Sequence, residues 1–171
     1  LLERLGFTVE RHPVPAATAA AAGMASVTNL VVRHRFGPGP VIALSAHGDV
    51  VPPGTGWTQD PYGGAVIDGA MYGRGVAVSK SDFATYAFAL KALIDAGTPL
   101  AGTVELHLTY DEESGGAIGP RWLLDEGISR PDCVICAGFA YGIVTAHSGA
   151  LHLEVTVRGR QAHAAMPATG V

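Results

Sequence analysis

Two apolar, β-branched runs in this chain each stop at residues that carry chemistry. Val41 to Ala46 delivers His47-Gly48-Asp49, and Thr103 to Tyr110 delivers Asp111-Glu112-Glu113 into the loop Ser114-Gly115-Gly116. The second run alternates Val104, Leu106, Leu108 and Tyr110 with Glu105, His107 and Thr109, the period-2 pattern of a strand. In a sheet built from such runs, two strand ends can place an imidazole and carboxylates around one point. That donor set suits hydrolytic metal chemistry, because neutral imidazole and carboxylate oxygen are both good ligands for a divalent ion.

Composition narrows the partners. With 171 residues, 48% hydrophobic and 15% charged, the chain is long enough for one packed domain and part of another, and too apolar to be disordered. The formal charge of -4, with basic residues scattered singly, gives no electrostatic footprint for nucleic acid or an anionic membrane. No apolar run reaches the ~18 to 20 residues of a membrane span, and no signal peptide shows. Small-molecule chemistry is the class that remains. Leu1 to Gly6 reads as the end of a helix closed by a glycine cap, so the true start is expected upstream. Cys133 and Cys136 are spaced C-x-x-C within what reads as a buried strand, where residues three apart point to opposite faces. Plain buried thiols are expected there, compatible with a reducing, cytoplasmic compartment.

Along the chain, Phe7 to Val14 reads as a strand that Pro13 and Pro15 confine to a sheet edge. Ala16 to Ala25 is expected as a loop, with Pro15 before it and Gly23 inside it. Val27 to Arg35 and Val41 to Ala46 read as strands joined by hairpin-like punctuation at Phe36 to Pro40. Phe83, Ala87, Leu90, Leu93 and Ile94 fall at helical spacing within Ser79 to Ala96, and Gly97 closes that helix. A helix from Ile118 to Glu126 and strands at Cys133 to Ala137 and Gly142 to His147 follow. Leu151, Leu153, Val155 and Val157 alternate with His152, Glu154, Thr156 and Arg158, the pattern of a strand with one covered face. The expected architecture is α/β, a mixed sheet flanked by helices over residues 1–148, with residues 149–171 beginning a second unit.

The order of the motifs adds a resemblance. His47-Gly-Asp49-Val-Val-Pro52, Trp57, Asp60-Pro-Tyr62, Asp68-Gly-Ala-Met-Tyr-Gly73-Arg-Gly75, Asp111-Glu-Glu113-x-Gly-Gly and Gly159-Arg-Gln-Ala-His163-Ala-Ala-Met-Pro167 run over nearly the whole chain. In that order they resemble the zinc-dependent amidohydrolases and exopeptidases that include aminoacylase, acetylornithine deacetylase, succinyl-diaminopimelate desuccinylase and carboxypeptidase G. The resemblance implies an incomplete catalytic domain followed by the first strand of an α+β lid that usually dimerises. It implies His47 and Glu113 as metal ligands, Asp49 as the carboxylate orienting the His47 ring, and Glu112 as the general base. His163 matches a lid histidine that helps to hold the oxyanion in the partner subunit's site. The implied cofactor is zinc, with cobalt or manganese able to substitute. The implied substrates are small N-acyl amino acids or peptides, and the implied full-length state is a homodimer.

The chain also departs from that pattern. Relatives read Gly-Arg-Gly-x-x-Asp-x-Lys, with the Asp bridging two metals, whereas Val78 stands at the Asp position between matching Gly73, Arg74, Gly75 and Lys80. Asp82 lies one helical turn on. The family's further acidic ligand would fall near Gly138, where the sequence offers no carboxylate, and its final histidine would lie beyond Val171; with these departures one zinc ion rather than two is expected. Three functions therefore stay open: a hydrolase with an altered site, of which this fragment alone is inactive; a relative that has lost hydrolysis and binds; and a nucleotide-binding α/β domain, since Gly73-Arg-Gly75 precedes a helix.

Overall fold

A computed structural model describes residues 1–138, 142–146, 148–149, 151, 153–156 and 158–170. A 3-10 turn at Glu3–Leu5 ends on Gly6, whose φ of 91° and N–H to the Glu3 carbonyl make the glycine cap. Then come β1 (Val9–Pro13), α1 (Ala16–Ala21), β2 (Thr28–Arg35), β3 (Val41–His47), β4 (Ala65–Ile67), β5 (Ala70–Tyr72), α2 (Lys80–Asp95), β6 (Thr103–Thr109), α3 (Pro120–Asp125) and β7 (Cys133–Cys136). Five strands form one sheet in the order β1-β2-β6-β3-β7, and β4 and β5 make a separate hairpin.

The sheet is mixed. β2 runs antiparallel to β1 and β6, while β3 lies parallel to β6 and β7. The reading of β2 and β3 as a hairpin is therefore corrected: β6 lies between them. The Gly-Pro-rich segment after β2 does not close a two-strand turn; the N–H groups of Phe36 and Gly37 bond the Gly102 carbonyl at the start of β6 instead. The parallel pair β3 and β6 is joined through α2, as a crossover requires.

Both faces of the central strands are covered. Leu106 and Leu108 of β6 and Val32 of β2 pack against Ala87 and Leu90 of α2. The alternate residues Glu105, His107 and Thr109 are also buried, beneath the segment that contains α3. Asn29 Nδ2 donates to the Ile118 carbonyl at 2.9 Å, and Ser129 Oγ donates to Glu105 Oε2 at 2.5 Å. Arg33 ties this face together through Glu105 Oε1 at 2.7 Å, Glu10 and the Ile128 carbonyl.

Four further readings are corrected. Residues 16–21 are helical, because Pro15 sits before the first turn, where its missing N–H costs nothing, and alanine favours helix. Ala19 is buried against Val14, Val27 and Ile118. The third helix begins at Pro120 rather than Ile118, with Ile118 buried just ahead of it. Cys133 and Cys136 are exposed and free, because β7 is the edge strand next to β3 alone. No strand forms among the described residues of 142–158, where Leu151, Leu153 and Val155 are about four-fifths exposed at 80%, 78% and 81%. His147, His152 and Val157 lie outside the described residues.

By backbone proximity the chain divides into two units, Leu1–Ala140 and Tyr141–Val171. The second contains a 3-10 turn at Pro167–Thr169, to which Arg160 donates through the Thr169 carbonyl at 2.8 and 3.1 Å.

Candidate metal centre

β3 and β6 end level with each other. Their parallel register pairs His47 with Thr109, and one residue on, the Gly48 N–H bonds the Thr109 carbonyl at 2.9 Å. Glycine at position 48 leaves room for the Tyr110 ring, since a Cβ there would run into it and force the ring to move. The two strands thus bring His47 and Asp49 beside Glu112 and Glu113.

His47 is buried and held by one ring nitrogen. Its Nδ1 lies 3.1 Å from the Asp49 carbonyl and 3.4 Å from Asp49 Oδ1, which leaves Nε2 turned toward Glu112 Oε2 at 3.6 Å. One ligand atom each from His47, Glu112 and Glu113 lie within 4.8 Å of one another, the one such cluster among the described residues. The imidazole is buried and both carboxylates are exposed. An imidazole nitrogen and a carboxylate oxygen at this spacing can hold a divalent ion, with the second carboxylate beside it and positions left open for water and substrate.

Asp49 serves both strand ends. While Oδ1 faces the ring of His47, the carboxylate accepts the main-chain N–H of Glu112 at 3.3 Å and of Glu113 at 3.0 Å. Burial works to raise its pKa, but the N–H groups of Asp111, Glu113 and Glu112 outweigh burial and hold it below the ordinary carboxylate range. Lys80, at the start of α2, feels Asp49 as a favourable charge, although burial lowers the pKa of its ammonium.

The wall of the centre explains what is missing from it. A cavity of about 370 Å³ is lined by His47, Glu112, Glu113, Val78, Cys136 and Gly138 among others. Val78 and Gly138, at the two positions where the resemblance leads one to expect carboxylates, thus line the same space as His47, Glu112 and Glu113 and offer it no side-chain oxygen. Asp82 does not replace them: its Oδ2 accepts the Ser79 hydroxyl at 3.2 Å in the first turn of α2, and it is not among the clustered ligand atoms. His163 belongs to the second unit, where it is exposed and its Nδ1 accepts the Ala165 N–H at 3.1 Å.

The glycines before α2 serve the fold. Gly75 has φ of 73° and a Cβ there would strike Val50, while a Cβ on Gly73 would lie 2.8 Å from Val76. Arg74 between them stacks over Trp57 at 5.4 Å and donates to the Pro53 carbonyl at 2.8 Å. Their packing accounts for the glycines without a phosphate.

Sequence reasoning passed over Asp111 and Cys136. Asp111 is buried, with φ of 126°, and its Oδ2 accepts the N–H groups of Ile118 at 2.6 Å and Gly119 at 3.3 Å. No pattern in the sequence separates it from the two acids that follow. Cys136 was expected to be plain core, and only the position of β7 at the sheet edge puts it on the cavity wall.

A mixed sheet covered by helices, with an imidazole and two carboxylates at adjacent parallel strand ends, defines an α/β metallohydrolase-like domain. The model of peptidase family M20/M25/M40 matches residues 43–165, most of the chain, and the chain belongs to that family. It is 35% identical to a succinyl-diaminopimelate desuccinylase of Rhodospirillum centenum, over 98% of this chain and 45% of that protein. Among solved structures, human carnosine dipeptidase 1 shares the fold at a TM-score of 0.60 and 22% identity, covering 82% of this chain and 31% of its own. An M20 family metallo-carboxypeptidase from Sulfolobus solfataricus does so at 0.63 and 20%, covering 81% and 30%. The chain thus spans less than half the length of these relatives.

Proposed function

We propose that the protein containing this chain is a metal-dependent hydrolase of amide bonds in small N-acyl amino acids or short peptides. The observation that carries the reading is the convergence of His47, Glu112 and Glu113 at the ends of two parallel strands. Family membership and the desuccinylase relative support it. In this reading His47 and Glu113 hold one zinc ion, for which cobalt or manganese can stand in. Bound there, zinc supplies a Lewis acid that polarises the scissile carbonyl and acidifies water.

The rest is done by this chain's own groups. Asp49 fixes the His47 ring through Nδ1 and so presents Nε2 outward. Glu112, exposed to the cavity, accepts a proton from the attacking water and returns it to the departing amine. Glu112 and Glu113 divide the work because adjacent side chains leave the main chain in different directions. His163 would help to hold the oxyanion from a second unit that begins a dimerising lid, the full-length protein being a homodimer. Two free thiols are in keeping with a reducing, cytoplasmic setting.

The full-length protein should release free amino acid from N-acyl amino acids or dipeptides, lose that activity to a chelator and regain it with zinc. Val78 and Gly138 on the cavity wall favour a second reading, a relative that binds such compounds without cleaving them. Substrate-dependent zinc retention with no turnover across a panel of acyl amino acids and dipeptides would select it.

A further inference from the structure

We propose that Asp111 is a positioning residue for the metal centre: its carboxylate clamps the far side of the loop that carries Glu112 and Glu113. The proposal rests on the reading of His47, Glu112 and Glu113 as the residues gathered around a metal. It also concerns a contact that exists without one.

Asp111 occupies a backbone conformation, φ 126° and ψ 8°, that glycine tolerates and L-residues avoid. Such a conformation is strained for an L-residue and persists only where its surroundings over-determine it. Here they do. Its Oδ2 accepts the N–H groups of Ile118 and Gly119, and its carbonyl accepts those of Ser114 at 3.2 Å and Gly116 at 2.7 Å. Four main-chain donors thus converge on one residue and close the loop from 111 to 119 on itself. Gly119 takes part by having no Cβ, which would lie 2.9 Å from the Tyr110 carbonyl.

The purpose of the clamp is visible in what it leaves loose. Glu112 and Glu113 have exposed side chains, so the direction they take is set by the main chain beneath them rather than by packing. On one side that main chain is held by Asp49 through the N–H groups of Glu112 and Glu113. On the other it is held by Asp111. Two acids, one from each strand end, therefore grip the segment between them. Both oxygen contacts to 118 and 119 go through a single atom, Oδ2, and an asparagine oxygen can reproduce them.

The test compares Asp111→Asn, Asp111→Ala and Asp111→Gly in the full-length protein, by amide hydrogen exchange without metal and by zinc affinity from competition with a chelator. Ala removes the acceptor and keeps the strained backbone; Gly removes the acceptor and relieves it. Both should speed exchange at Ile118 and Gly119 and weaken zinc by about 10- to 100-fold, the usual cost of losing a group that orients a ligand. Asn should stay within about threefold of the parent, since the acceptor oxygen survives. Parent-like zinc affinity in Ala and Gly, with an intact fold, overturns the proposal. So does an Asn variant as weak as Ala, and Asn alone decides the matter if Ala and Gly fail to fold. A parent that binds no zinc overturns the reading of the centre, and the exchange rates then decide by themselves whether Asp111 holds the loop.

Discussion

Asp49 and Glu113 are joined across two strands by a hydrogen bond from the Glu113 main-chain N–H to Asp49 Oδ2, 3.0 Å long. The same carboxylate stands beside the His47 ring, so one side chain sets both the imidazole and the acidic loop. Asp49→Ala should release both at once. Zinc affinity of the full-length protein is expected to fall about 10- to 100-fold, with a larger loss than for exposed Asp125→Ala on α3. Equal affinities for the two variants would remove Asp49 from this role.

Glu112→Gln keeps the size of the side chain and removes the proton acceptor. Turnover of the best substrate should drop about 100- to 10,000-fold while zinc stays bound. A variant as fast as the parent would mean that Glu112 is not the base.

With Val78 and Gly138 on the cavity wall, the centre lacks the bridging carboxylate that offsets repulsion between two ions ~3.5 to 4 Å apart. Elemental analysis of the dialysed full-length protein should find at most one zinc per chain. Val78→Asp combined with Gly138→Glu should raise that occupancy. Two ions in the parent would contradict the assignment of these positions.

The buried acid Glu105 gives a prediction about stability. Burial works to raise its pKa, yet bonds from His107, Ser129 and Arg33 bring it down to about 2 from an ordinary 4.5. The folded state therefore holds this proton less tightly than the unfolded chain. Its contribution is fully present above pH 4.5 and is lost as pH falls toward 2, amounting to roughly 3 kcal/mol. Urea denaturation across that window should show a shallower acid loss in Glu105→Gln than in the parent.

The strands and the helix before β6 were legible because their signals are periodic and local: alternation in Thr103 to Tyr110, helical spacing from Phe83 to Ile94. Strand order was not, since nothing in Phe36 to Pro40 announces that the chain leaves β2 and that β6, some sixty residues later, takes the place beside it. Helix α1 was hidden by its short length and its proline. His47, Asp49, Glu112 and Glu113 stood out at the ends of apolar runs, while the roles proposed for them came from the order of the surrounding motifs; the structure brings the four residues side by side. Asp111 was not, because what distinguishes it is burial and a backbone angle, which emerge only once the loop folds over it.

The level ending of β3 and β6 has a consequence for how such a protein can change. The pairing of His47 with Thr109 is made by main-chain groups, whose geometry is indifferent to which side chains the strands carry. Substitutions along either strand can accumulate while the two halves of the centre keep their spacing. Deleting a single residue within β6 is different, because it would turn every following side chain to the opposite face and carry the acidic pair away from the imidazole. The stretch between Pro53 and Gly73 lies outside that ladder, so lengthening or shortening it leaves the strand-end spacing alone. Drift in sequence and variation in loop length are thereby separated from the one kind of change, a shift in register, that the centre does not survive.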